Sequence, residues 1–114
     1  MNLRVLACIA LACVAAPATA HAFLDHANPG AGATLHAAPR NVMLVFSDDL
    51  DGESSVAVVD GSGRSVVTGR ATIAGNCIMA PLRPLGPGKY RVVWHAVSMD
   101  DHRTQGSYVF AVKP

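Results

Sequence analysis

The chain is interrupted too often for a long helix. Short apolar or β-branched runs occupy residues 42–46 (Val-Met-Leu-Val-Phe), 55–59 (Ser-Val-Ala-Val-Val), 64–68, 77–82, 90–97 and 107–112, each of strand length. Between them stand Asp51-Gly52, Asp60-Gly61-Ser62-Gly63 and Leu85-Gly86-Pro87-Gly88, residue types that supply the dihedrals of turns. Past the first twenty or so residues, no segment keeps a helical period for about ten residues, the length at which a helix becomes credible. The pattern predicts an all-β domain: a single antiparallel sandwich or barrel of about seven short strands.

Within residues 90–97, alternation puts Tyr90, Val92, Trp94 and Ala96 on one face and Arg91, Val93, His95 and Val97 on the other. The face carrying Trp94 is the expected core face. Residues 21–39 resist strand assignment because Asn28-Pro29-Gly30 and Ala38-Pro39 remove ladder donors. Phe23 and Leu24 are expected to hold this segment against the sandwich as an edge strand. No internal repeat or second domain is evident.

Residues 1–20 differ in character. Arg4 precedes an apolar run from Val5 to Ala16, followed by Pro17-Ala18-Thr19-Ala20. A run this short ending in a small-residue A-x-A site reads as a secretory signal and not as a bilayer span. Cleavage after Ala20 gives a signal peptide over residues 1–20, a domain over residues 21–114, and His21 as the first residue of the exported chain. Ala20-His21-Ala22 offers a rival A-x-A site that would leave Phe23 first. Without Arg4, Lys+Arg falls from 9 to 8 and equals Asp+Glu at 8. A balanced charge gives no support for nucleic-acid or anionic-membrane binding. No other run approaches the roughly 20 apolar residues of a span, so the exported chain is expected to be soluble. Cys8 and Cys13 leave with the signal, and Cys77 remains alone. No intramolecular disulfide is expected, and Cys77 reads as a small apolar residue outside any metal site.

Chemistry concentrates in Asp100-x-His102. In extended backbone, residues two apart point the same way, so this spacing brings Asp100 and His102 together and turns Asp101 away. Alone, such a pair is also compatible with a solvated acidic turn. His21 changes the weighting. An N-terminal histidine offers its α-amine and its Nδ1 from one residue, closing a chelate ring on a metal. The amine's reference pKa of roughly 7.7–8.0 lets a metal displace its proton near neutral pH. With His102 and Asp100 added, three nitrogens and a carboxylate favour Cu(II) in a tetragonal arrangement. Zn(II) competes by ligand type but prefers a tetrahedron. His26 and His36 are expected at the surface, as is His95 on the face opposite Trp94.

The sequence resembles the CopC family of periplasmic copper-resistance and copper-handling proteins. The resemblance covers the whole exported chain. It rests on His21-x-x-Leu24, Asn28-Pro29-x-x-Gly32, Ala38-Pro39 and Leu44-Val45-Phe46-Ser47, then Gly88-Lys89-Tyr90-Arg91-Val92-x-Trp94-x-Ala96-Val97-Ser98-x-Asp100-x-His102, and last Gly106-x-x-x-Phe110-x-Val112. It implies a Greek-key β-sandwich similar to cupredoxins and immunoglobulin domains, in the periplasm. It also implies one Cu(II) held by His21, Asp100 and His102, with Asp48 a candidate outer neighbour of the metal or else a solvated turn carboxylate. The chain departs from the family in two places. Between Arg70 and Leu85 it carries only Met79, where some members have a Met-rich loop for Cu(I). Arg103 stands where proline often follows the site histidine.

The function this implies is holding Cu(II) for sequestration or for hand-over to a CopD-like copper transporter of the inner membrane. Catalysis is not expected. The alternative is a copper-dependent oxidative enzyme of the histidine-brace type, which would need an open coordination position and an exposed aromatic platform.

Overall fold

The computed structural model describes residues 22–114; the segment read as a signal peptide, and His21, lie outside the described residues. The described chain forms eight strands: β1 (Leu24–Asn28), β2 (Thr34–Leu35), β3 (Asn41–Phe46), β4 (Ser55–Val59), β5 (Thr72–Ala74), β6 (Cys77–Pro81), β7 (Gly88–Val97) and β8 (Arg103–Val112). They build two four-stranded sheets, in the orders β1-β3-β6-β5 and β2-β8-β7-β4. The strand pairs are antiparallel except β2 with β8, where Thr34 and Leu35 run parallel to Ala111 and Val112.

The alternation read in the sequence decides which faces meet. Val42, Leu44 and Phe46 of β3, Ile78 and Ala80 of β6, Tyr90, Val92, Trp94 and Ala96 of β7, and Tyr108, Phe110 and Val112 of β8 form one buried core. Phe46 and Trp94 join the two sheets edge to face, with ring centroids 5.2 Å apart and planes at 74°. Such a contact adds to the area term that drives the layers together. Gly106 lies opposite Trp94 in the β7–β8 register. A Cβ built there would stand 2.6 Å from Trp94 Cζ2, so the indole rests on bare backbone and no larger residue fits.

Two expectations change in detail. Residues 64–68 form no strand; they make only the bridges Val59–Ser65 and Val67–Leu82. Val66 N donates to Val58 O, and its own carbonyl accepts from Arg83 N. The segment thus straddles the two sheets, touching β4 in one and the end of β6 in the other, and extends neither ladder. β8 in turn starts at Arg103, well before the apolar run at 107–112. Thr104 and Gln105 carry no strand pattern of their own but pair with Ala96 and His95 of the longer β7.

The start of the described chain is fixed in space. Leu24 pairs with Phe46, and the register shifts before His26 pairs with Val45. Ala22 is fully buried, and its carbonyl accepts a hydrogen bond from Thr104 Oγ1 at 2.7 Å. Phe23 N donates to Ser47 Oγ at 2.8 Å, while Ser47 N donates to Phe23 O. The edge-strand expectation holds for Leu24, which opens β1 and packs against the core; it does not hold for Phe23, which precedes the strand, is held through its main chain and exposes its ring. Residue 22 is thereby held beside the first residues of β8.

Candidate metal centre

β7 ends at Val97 and β8 begins at Arg103, so Asp100 and His102 sit in the turn that joins them and not in extended strand. Asp101 N donates to Ser98 O, and Ser98 N donates to His102 O, both at 2.9 Å. Closing five residues this tightly puts Asp101 at φ 71°, in the left-handed region that aspartate tolerates better than most side chains. The strand-parity reason for pairing Asp100 with His102 is therefore corrected. The turn brings them together: His102 Nδ1 lies 2.9 Å from Asp100 Oδ2. Asp101 turns instead toward Arg103, 3.8 Å away, and the same guanidinium pairs with Glu53 at 3.0 Å.

Ser98 completes the arrangement. It is buried at 2 % exposure, and its hydroxyl donates to Asp100 Oδ1. That hydrogen bond, followed by the one from His102, holds the Asp100 carboxyl down to about 2. Asp100 is therefore an anion across the physiological range, fixed from one side by a buried hydroxyl and facing an imidazole on the other. When Nδ1 carries its proton toward a carboxylate, the imidazole directs its lone pair through Nε2, as in many metal-ligating histidines. A carboxylate and an imidazole are donor types that suit a divalent ion of borderline softness.

Asp48 and Asp49 line a shallow cleft together with Ser98, Met99 and Asp100. The 47–53 loop is held against the turn because Leu50 bridges Ser98 and Asp51 N donates to Val97 O. Asp48 is thus on the same side of the molecule as Asp100. Cys77, half-buried and in no disulfide among the described residues, opens β6 opposite Val45. His26, His36 and His95 are exposed; His36 Nδ1 lies 3.0 Å from Lys113 O, at the other end of the sandwich. Among the described residues no three His, Cys, Asp or Glu side chains cluster in a metal-binding arrangement; of the expected ligands, Asp100 and His102 are together, and His21 lies outside the described residues. The sequence reading missed Ser98, whose signal was present as Ser98-x-Asp100, the spacing at which serine and aspartate side chains bond across a turn.

Comparison with known proteins agrees with this fold. Residues 24–113 match the model of the CopC domain. The chain is 37% identical to the protein YobA of Escherichia coli (strain K12) over 99 residues, 82% of this chain and 80% of that one. It is 34% identical to copper resistance protein C of Pseudomonas syringae pv. tomato over 110 residues, 88% and 86% of the two chains. The crystal structure of CopC from Methylosinus trichosporium OB3b superposes with a TM-score of 0.77 at 32% identity, covering 82% of this chain and 95% of that one. The chain belongs to the CopC family.

Proposed function

We propose that the chain holds one Cu(II) in the periplasm, either as a buffer or for hand-over to a CopD-like copper transporter of the inner membrane. The ligands in this reading are the α-amine and imidazole of His21, the imidazole of His102 and the carboxylate of Asp100, with Asp48 nearby. One observation carries it: Asp100 and His102 lie 2.9 Å apart in a turn beside β8, and Thr104 of that strand clasps the carbonyl of Ala22. That hydrogen bond holds the main chain of Ala22 beside Thr104, two residues from His102; in this reading His21, outside the described residues, would reach the pair from there. A relative named a copper resistance protein supports copper as the metal.

Binding without turnover fits the surface. Of the six aromatic residues, Phe46, Trp94, Tyr90, Tyr108 and Phe110 are in the core and only Phe23 is exposed, so a polysaccharide has no stacking platform here. The test is a Cu(II) titration of the exported chain. One equivalent should bind, with a tetragonal, nitrogen-rich paramagnetic resonance signal and no intense blue thiolate band. A strong sulfur-to-copper band would make Cys77 a ligand and overturn the assignment.

A further inference from the structure

The balance of eight acidic and eight basic side chains in the exported sequence hides a segregation. Among the described residues, every Asp and Glu except Asp60 lies toward the end that carries Asp100: on the first half of β1, in the 47–53 loop and in the β7–β8 turn. Every Lys and Arg except Arg103 lies toward the opposite end. Arg40 precedes β3, Arg83 follows β6, Lys89 is the second residue of β7 and Lys113 follows β8. A neutral molecule built this way is a strong dipole, and its potential at either end is that of a charged protein.

The basic end also carries a groove, lined by Pro39, Arg40, Leu82, Arg83, Pro84 and Leu85. Arg83 reaches Asp60 Oδ2 only at 3.8 Å, while Asp60 Oδ1 accepts from Ser62 N, Ser62 Oγ and Arg64 N. Arg40 makes no ion pair among the described residues. The cations belong to several loops and spread over a face, where a pocket for one small anion would need them to converge. Among the described residues, none of the exposed large apolar side chains is an aromatic at this end, so bases of a nucleic acid would find nothing there to stack on.

We propose that the Arg40–Arg83 end of the sandwich docks on an anionic phospholipid surface, holding the Asp100–His102 end outward. β7 spans the molecule between the two ends with ten residues, which places the acidic end about 30 Å from the lipid headgroups. Lysines and arginines act on such a surface within a Debye length, about 8 Å at physiological salt. Only the basic end is then attracted, and the acidic end is too far away to be repelled. This inference stands apart from the copper reading and survives its failure.

The experiment is co-sedimentation of the exported chain with vesicles of phosphatidylcholine, alone or with about 30% phosphatidylglycerol, across a salt series. Binding should require phosphatidylglycerol, fall steeply as salt rises, and weaken about tenfold or more in the Arg40→Gln, Arg83→Gln double variant. Lys89→Gln with Lys113→Gln gives a second route to the same loss if the first pair fails to fold by circular dichroism. Asp49→Asn with Glu53→Gln, which raises net charge at the far end, should leave binding unchanged. No binding to phosphatidylglycerol at low salt, or equal binding to phosphatidylcholine alone, would overturn the proposal. So would a gain in the acidic-end variant as large as the loss in the arginine variant, since net charge and not orientation would then govern.

Discussion

Two turns in this molecule are each organised by an aspartate, and they use it differently. In the 60–64 turn, Asp60 Oδ1 accepts from the backbone N–H groups of Ser62 and Arg64 and from Ser62 Oγ. In the 98–102 turn, Asp100 is held by the side chains of Ser98 and His102, while the backbone closes through Ser98 and His102 main-chain groups. Both carboxyls lie below the usual carboxylate range, Asp60 chiefly through Ser62 and Arg64, Asp100 chiefly through Ser98 and His102. Asp60 closes its loop and has little left to offer a ligand. Asp100 faces an imidazole that a metal ion could share. An acidic turn becomes a candidate site when its carboxylate is bonded to groups that can exchange partners.

The largest expected contrast is in copper affinity. His102→Ala should weaken Cu(II) binding by more than about a hundredfold, whereas Asp60→Asn should leave it unchanged; removing a metal's orienting partner alone typically costs about ten- to a hundredfold. Asp100→Asn, which removes the carboxylate but leaves the nitrogen donors, should fall between the two. A competition titration against a chelator of known affinity orders the three. If Asp60→Asn weakened binding as much as Asp100→Asn, the distinction between the turns would be lost.

Stability should rank the other way. Asp60→Ala removes the acceptor for two backbone donors, so its thermal midpoint should drop further than that of Asp100→Ala, whose turn keeps its main-chain hydrogen bonds. Calorimetry of the two variants at neutral pH, without metal, measures this. A larger drop for Asp100→Ala would mean that the 98–102 turn is held by its side chains.

Acid sharpens the comparison at one atom. A carboxyl depressed by folding stabilises the native state above its unfolded value, about 4, and that contribution is lost as pH falls through the folded value. For Asp100 the window runs from about 4 down to about 2. The side-chain carboxyl carbon should titrate near 2 by NMR, and Ser98→Ala should move that midpoint up toward the usual range. A midpoint unmoved by Ser98→Ala would transfer the cause to His102.

The smallest effect belongs to Asp101. Its side chain faces Arg103 and is largely exposed, so Asp101→Asn should change copper affinity less than Asp100→Asn does. The reverse order would place the wrong carboxylate at the metal.

The core strands were legible because Val42, Leu44 and Phe46, and Tyr90, Val92, Trp94 and Ala96, alternate on a buried face; burial writes period two into the sequence. The 64–68 run misled because Val66 is buried without belonging to a ladder, and apolar content reports burial before it reports pairing. β2 and the start of β8 were invisible for the opposite reason: Thr34, Leu35, Thr104 and Gln105 are strand residues through their partners, and partners lie far along the chain. The same holds at the site. Asp100 and His102 were found from their spacing, but through an extended backbone that the turn replaces. The anchoring of Ala22 by Thr104, 82 residues away, has no local signal.

That anchor makes the account testable at His21, the proposed first residue of an exported chain. Its central claim is that His21 begins that chain and donates its α-amine to Cu(II) alongside His102. The direct measurement compares Cu(II) affinity and paramagnetic resonance of residues 21–114 with the same chain bearing one added alanine before His21, which converts the amine into an amide. The account predicts that the added residue removes most of the affinity and alters the nitrogen couplings, with the fold unchanged by circular dichroism. Equal affinity and an unchanged spectrum would contradict it, as would tight binding by an exported chain that begins at Phe23.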